Sequence, residues 1–196
     1  MRQWRDAGRN GGGNHTGEVK FVSTTRQLAA LDIYVVEDNA QTRRMIATVL
    51  RTLGVGSVRD SGDARTALAE VRHKAPGIVI SDWEMSPMGG AQFLRELRHE
   101  SSGAAAKVPV IVLSAHSNLA VIRSALEAGA NQFLAKPVVP GKLLERIEFV
   151  LNDRRQLVLQ NGHYVFAPAA DKGAAPPDRG PSDSGKSDNE AAWEID

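Results

Sequence analysis

The run Ile78-Val79-Ile80-Ser81-Asp82-Trp83-Glu84-Met85 opens on three branched apolar residues and closes on acidic ones. Apolar residues in succession, with no alternation of polarity, mark a strand covered on both faces. Reading outward, the same construction recurs. Ile33-Tyr34-Val35-Val36 runs into Glu37-Asp38-Asn39, Val110-Ile111-Val112-Leu113 into Ser114, and Phe133-Leu134-Ala135 into Lys136-Pro137. Val55–Val58 reads as a further short strand, followed by Arg59 and Asp60. Between these runs, apolar residues fall at helical spacing: Met45, Ile46, Val49 and Leu50; Ala64, Ala67, Leu68 and Val71; Phe93, Leu94 and Leu97; Val121, Ile122 and Ala125; Leu143, Leu144, Ile147 and Val150. Gly129 is placed to end the fourth helix in a left-handed cap, and Pro140 to open the fifth. Five strands alternating with five helices predict an α/β fold, a doubly wound five-stranded parallel sheet.

Composition sets the frame around that core. The chain has 196 residues, 42% of them hydrophobic, with 24 basic and 23 acidic side chains and no cysteine. That is enough apolar material for one ordinary domain with extensions. A net charge of +1 offers no electrostatic case for nucleic acid or an anionic membrane. Without cysteine there are no disulfides, thiolate zinc sites or thiol nucleophiles. The start shows no signal peptide, and no apolar run could span a bilayer, so a soluble cytoplasmic protein is expected. Residues 1–30, with the run Gly11-Gly12-Gly13, are expected to be a disordered N-terminal extension. The main domain then covers residues 31–155. Residues 156–196 are expected to be a mostly disordered acidic tail, except that Asn161-Gly162 between apolar residues signals a hairpin over 157–166. Such a hairpin needs a surface to pack on, which the sequence does not identify.

In parallel sheets of this class, ligands bind at the carboxyl ends of the strands. Four of the five strands deliver a polar side chain there. Glu37, Asp38 and Asp82 would repel one another unless a cation held them, and an oxygen-only set suits Mg2+. Lys136 adds a point charge and Ser114 a short hydroxyl donor. A carboxylate can itself act as a nucleophile toward phosphorus, so the set reads as an aspartate that accepts phosphate with Mg2+.

These residues, at separations of 44, 32 and 22 positions that each span whole strand–helix units, resemble a response-regulator receiver domain of the single-domain chemotaxis type. The resemblance implies the flavodoxin-like receiver fold with strand order 2-1-3-4-5. It implies Asp82 as phosphoacceptor, Glu37 and Asp38 as the acidic pair, and the Glu84 backbone carbonyl as a further metal ligand. It makes Ser114 the switch hydroxyl beside small Ala115, Lys136 the phosphate-contacting lysine before a cis peptide to Pro137, and Phe133 the aromatic switch. One departure stands out: proline follows one residue later than usual in Met85-Ser86-Pro87-Met88.

The resemblance further implies a stand-alone regulator rather than an enzyme. A sensor histidine kinase or histidine phosphotransfer protein would donate the phosphoryl group. A downstream protein would read a face made by the fourth helix, fifth strand and fifth helix, through which the family also forms homodimers. No direct nucleic-acid or membrane contact is expected. Two other readings stay open: a binding module indifferent to phosphorylation, and an aspartyl-phosphate phosphohydrolase, in which Glu84 would have to serve as acid/base. His116, two residues beyond Ser114, lies near the expected approach of water or is an exposed loop histidine.

Overall fold

The computed structural model describes residues 25–167. Its elements run β1 (Asp32–Val36), α1 (Ala40–Thr52), β2 (Ser57–Ser61), α2 (Ala64–His73), β3 (Ile78–Asp82), α3 (Gly90–Arg98), a 3-10 segment (Glu100–Lys107), β4 (Val110–Ser114), α4 (Leu119–Glu127), β5 (Gln132–Ala135) and α5 (Pro140–Leu151). A two-stranded hairpin, β6 (Leu157–Gln160) and β7 (His163–Phe166), follows.

The first five strands form one sheet in the order β2-β1-β3-β4-β5, with all neighbours parallel. Strand side chains alternate between faces, and each face is buried under helices. Ile33, Val35, Ile78, Ile80, Ile111 and Leu113 meet Ile46 and Leu50 of α1 and Leu143 and Ile147 of α5. Tyr34, Val36, Val79, Val110 and Val112 meet Ala67 and Val71 of α2, Phe93 and Leu97 of α3 and Ala125 of α4. This double cover is why the central strands read as unbroken apolar runs.

Helix starts are set locally. The side chains of Asn39, Asp63 and Asn118 accept first-turn N–H bonds of α1, α2 and α4, and Pro140 opens α5. Gly129 follows α4 at φ +99°, the conformation its cap requires.

Two expectations need correction. The second strand is Ser57–Ser61, not Val55–Val58, so Arg59 and Asp60 lie within it rather than after it. Pairing and charge decide this: Val58 aligns with Ile33, while Arg59 forks onto Asp32 at 2.8 and 3.2 Å. The N-terminal extension also ends earlier than residue 30. Residues 25–30 are helical, and Leu28 is buried in the core beside Val55, its carbonyl accepting the Gly56 N–H. The rest of the expected extension, and the tail beyond residue 167, lie outside the described residues.

The hairpin turns at Asn161 (φ +50°) and Gly162 (φ +78°). It folds back onto the end of α3 and the 3-10 segment. Its Gly162 carbonyl accepts the Glu100 N–H at 2.8 Å, His163 bridges to His99, and Tyr164 lies under Lys107.

Candidate functional site

At the carboxyl rim, β1 ends by presenting Glu37 and Asp38. Glu37 is buried, its N–H bonded to the Ser61 carbonyl at 3.2 Å. Asp38 is exposed, and its Oδ2 accepts the Ser86 N–H at 3.1 Å. Asp82, the last residue of β3, is 3% exposed. Its Oδ1 accepts the Trp83 N–H at 2.8 Å and the Glu84 N–H at 3.3 Å, which leaves Oδ2 to Lys136 Nζ at 2.9 Å. The same ammonium reaches Glu37 Oε2 at 2.8 Å. Lys136 follows β5, its N–H bonded to the Ser114 carbonyl, and its peptide to Pro137 is cis as expected. Ser86–Pro87 is cis as well. Gly90, the first residue of α3, backs this loop: a Cβ there would collide with the Asp82 carbonyl.

Carboxylate oxygens of Glu37, Asp38 and Asp82 all lie within 4.8 Å of one another. With Lys136 among them, two negative charges stay unbalanced. This oxygen-only set, half buried and half open to solvent, fits a hard divalent ion that keeps some of its water. Burial pushes the Glu37 pKa up, assisted by the Asp82 charge, and outweighs the Lys136 bond that pulls it down. For Lys136, burial opposes the charge, but the hydrogen bonds and charges of Glu37 and Asp82 prevail and raise its pKa.

Ser114, fully buried at the end of β4, belongs to a second group of contacts. Its hydroxyl lies 2.6 Å from Glu84 Oε1 and 3.0 Å from the His116 carbonyl. Glu84 Oε2 accepts the Ala115 N–H at 3.4 Å, and His116 Nδ1 is 3.2 Å from Oε1. Burial works to raise the Glu84 pKa, yet the Ser114 and His116 bonds bring it below the usual carboxylate value. Phe133 stands apart on β5, level with Val112. It is half-buried and lines a groove with Ile122 of α4 and Val139 ahead of α5.

The rim therefore gathers Glu37, Asp38, Asp82 and Lys136 into one cluster and gives Ser114 to Glu84. Two contributions escape a reading of the sequence. The hold of the Glu84 carboxylate on Ser114 is one, since the sequence offers that side chain only as the acid/base of a phosphohydrolase. The other is Arg43 of α1, whose Nη1 donates to the Glu37 carbonyl at 2.7 Å while Nε pairs with Asp60 at 2.9 Å, clamping the acidic loop to β2. Gly62 leaves the room: a Cβ there would stand 2.8 Å from Arg43 Nη1. Only the start of α1 at Asn39, which puts Arg43 one turn in, could have hinted at this clamp.

The family model of the response regulator receiver domain matches residues 33–148. The chain belongs to that family. This receiver domain is 30% identical over 122 residues to the chemotaxis protein CheY1 of Helicobacter pylori, covering 62% of the chain and 97% of that protein. It is 33% identical over 122 residues to the transcriptional activator protein ExaE of Pseudomonas putida, covering 62% of the chain but 55% of ExaE. The solved structure of Vibrio cholerae CheY4 superposes with a TM-score of 0.56 at 27% identity, covering 61% of the chain and 98% of CheY4. The match in sheet order and flanking helices makes this the flavodoxin-like receiver fold. Among the described residues, no helix is long and apolar enough to cross a membrane.

Proposed function

We propose that this receiver works as a stand-alone phosphorelay switch in the cytoplasm, accepting a phosphoryl group on Asp82 from a phosphohistidine on a sensor kinase or phosphotransfer protein. The observation that carries this reading is the Asp82 carboxylate, held at a strand end by Lys136 at 2.9 Å with two further carboxylates alongside. An Asp82 oxygen attacks phosphorus, the O–P bond forms, the P–N bond breaks, and the departing imidazole takes up a proton. Asp38, Asp82 and the Glu84 carbonyl would hold Mg2+, with Glu37 behind a water. When bound, the ion neutralises charge on the transferred group. Lys136 then trades part of its hold on Asp82 and Glu37 for a phosphoryl oxygen, and the Ser114 hydroxyl is drawn toward the same group. Space freed near Ala115 lets Phe133 turn inward, which reshapes the α4–β5–α5 face that a downstream protein, or a second copy, would bind. The active form must bind phosphoryl group or partner better than the inactive one for this shift to occur.

Trp83, beside Asp82, supplies the test. Trp4 and Trp193 lie outside the described residues and can be replaced by Phe to leave one reporter. Mg2+ should change Trp83 fluorescence, and beryllofluoride, an acyl-phosphate mimic, should extend the change in the parent protein but not in Asp82→Asn. Equal responses in both would overturn the reading in favour of a binding module indifferent to phosphorylation. Steady turnover of an aryl phosphate would instead make the chain a phosphohydrolase, a reading weakened by the engagement of the Glu84 carboxylate with Ser114 and His116.

A further inference from the structure

Glu84 leaves β3 in two directions. Its N–H turns back to Asp82 Oδ1 at 3.3 Å, while its carboxylate crosses to the end of β4. There Oε1 takes the Ser114 hydroxyl at 2.6 Å, Oε2 takes the Ala115 N–H at 3.4 Å, and the His116 imidazole closes on Oε1 at 3.2 Å. A carboxylate only accepts hydrogen bonds, so His116 Nδ1 carries the proton in this contact. The Ser114 hydroxyl has a single proton, and with Oε1 at 2.6 Å that proton is committed to an anion already present. A phosphoryl group on Asp82 would be a second anion seeking the same donor.

We infer that the Glu84 carboxylate is a built-in occupant of the phosphoryl-oxygen subsite, holding the Ser114 hydroxyl and Ala115 N–H until a phosphoryl group on Asp82 displaces it. This rests on the phosphoacceptor reading of Asp82 and adds regulation of the same site. Two anions cannot share one hydroxyl proton, and their mutual repulsion favours exchange over coexistence. Glu84 has somewhere to go, because its side chain is 38% exposed and can rotate into water. His116, 69% exposed, loses its partner in the same step and so reports it. Occupancy by Glu84 lowers the affinity of the site for the incoming group by the cost of breaking these contacts, which sets a threshold for switching.

The experiment titrates beryllofluoride into the full chain with saturating Mg2+, reading Trp83 fluorescence alongside the His116 imidazole NMR signals. In the parent protein, beryllofluoride should shift the His116 signals. In Glu84→Gln they should lie close to the shifted position before any addition, and the half-saturating concentration should fall roughly three- to tenfold. Loss of negative charge alone could also tighten binding, so the comparison is repeated in Ser114→Ala. Competition for the hydroxyl predicts that the gain from Glu84→Gln shrinks there, whereas a simple charge effect leaves it unchanged. Equal half-saturation in the parent protein and Glu84→Gln, or an undiminished gain in Ser114→Ala, would overturn the inference alone. A parent protein that binds Mg2+ but ignores beryllofluoride would overturn the phosphoacceptor reading and this inference with it.

Discussion

At the carboxyl ends of the strands, three carboxylates cluster and one lysine reaches two of them; at the amino ends, one arginine makes five hydrogen bonds, none to a carboxylate. Arg98, at the end of α3 and 1% exposed, donates Nε and Nη2 to the Gly129 carbonyl at 3.0 and 2.8 Å. Its Nη1 reaches the Ala106 and Val108 carbonyls at 2.7 and 2.8 Å, and Nη2 also meets Asn131 Oδ1 at 3.2 Å. Asn131 passes the connection to Asp153, which pairs with Arg155, and Arg155 stacks on Phe166 of the hairpin at 4.3 Å. Burial pushes the Arg98 pKa down to about 10, still far above neutrality, so the group stays charged. Every donor of this cation is matched by an oxygen. The two ends teach how a fold uses charge: a saturated buried charge ties elements together, while an unbalanced cluster keeps capacity for a ligand.

That contrast can be broken by substitution. Arg98→Met keeps the bulk but leaves several buried carbonyls without donors, and urea unfolding should show a loss of about 4 kcal/mol. A loss below about 1 kcal/mol would mean that water replaces the guanidinium and the amino end is not locked. At the rim, Arg43→Ala should leave the fold nearly intact yet weaken Mg2+ binding by roughly tenfold, because the Glu37–Asp38 loop loses its clamp. Mg2+ titration of Trp83 fluorescence reads this, and Arg43→Lys should restore only part of the affinity, since an ammonium cannot fork between Asp60 and the carbonyl.

Acid sharpens the comparison. Asp153 is held below its ordinary value of 3.8, first by its bonds to Arg155, against the opposing effect of burial. Its contribution is complete above 3.8 and is lost as pH falls through the lower folded value. Thermal melts of Asp153→Asn should therefore start less stable at neutral pH and converge with the parent as the pH drops below that range. The smallest effect belongs to Asp38→Asn. Without Mg2+ it should be neutral or stabilise by about 0.5 kcal/mol through relief of like charge, while Mg2+ should raise the Tm of the parent protein and raise that of the variant far less.

Legibility followed burial. Ile33–Val36, Ile78–Ile80 and Val110–Leu113 announced themselves because both faces of those strands are covered, so every position had to be apolar. The edge strand β2 starts two residues and ends three residues later than its apolar residues suggest, for the converse reason. Ser57, Arg59 and Asp60 are polar, and the strand is held by backbone pairing and by ion pairs to Asp32 and Arg43. Residues 25–30 escaped notice because one side chain, Leu28, supplies the buried contact that docks them.

The same distinction divides the rim. Glu37, Asp38, Asp82 and Lys136 follow directly from where strands end, since parallel connections return every carboxyl end to one edge of the sheet. Local order in the chain was therefore enough to determine the central strands, the five helices that alternate with them and the acidic cluster with its lysine, whereas the strand order rested on the family resemblance. Only the tertiary structure decided that Glu84 reaches Ser114 across 30 positions, that Arg43 clamps the acidic loop from α1, and that the hairpin seats just past α3, at His99 and at Glu100 of the 3-10 segment. Each depends on which side chains meet after the helices have packed, and hydrogen-bond partners between elements leave no period in the sequence.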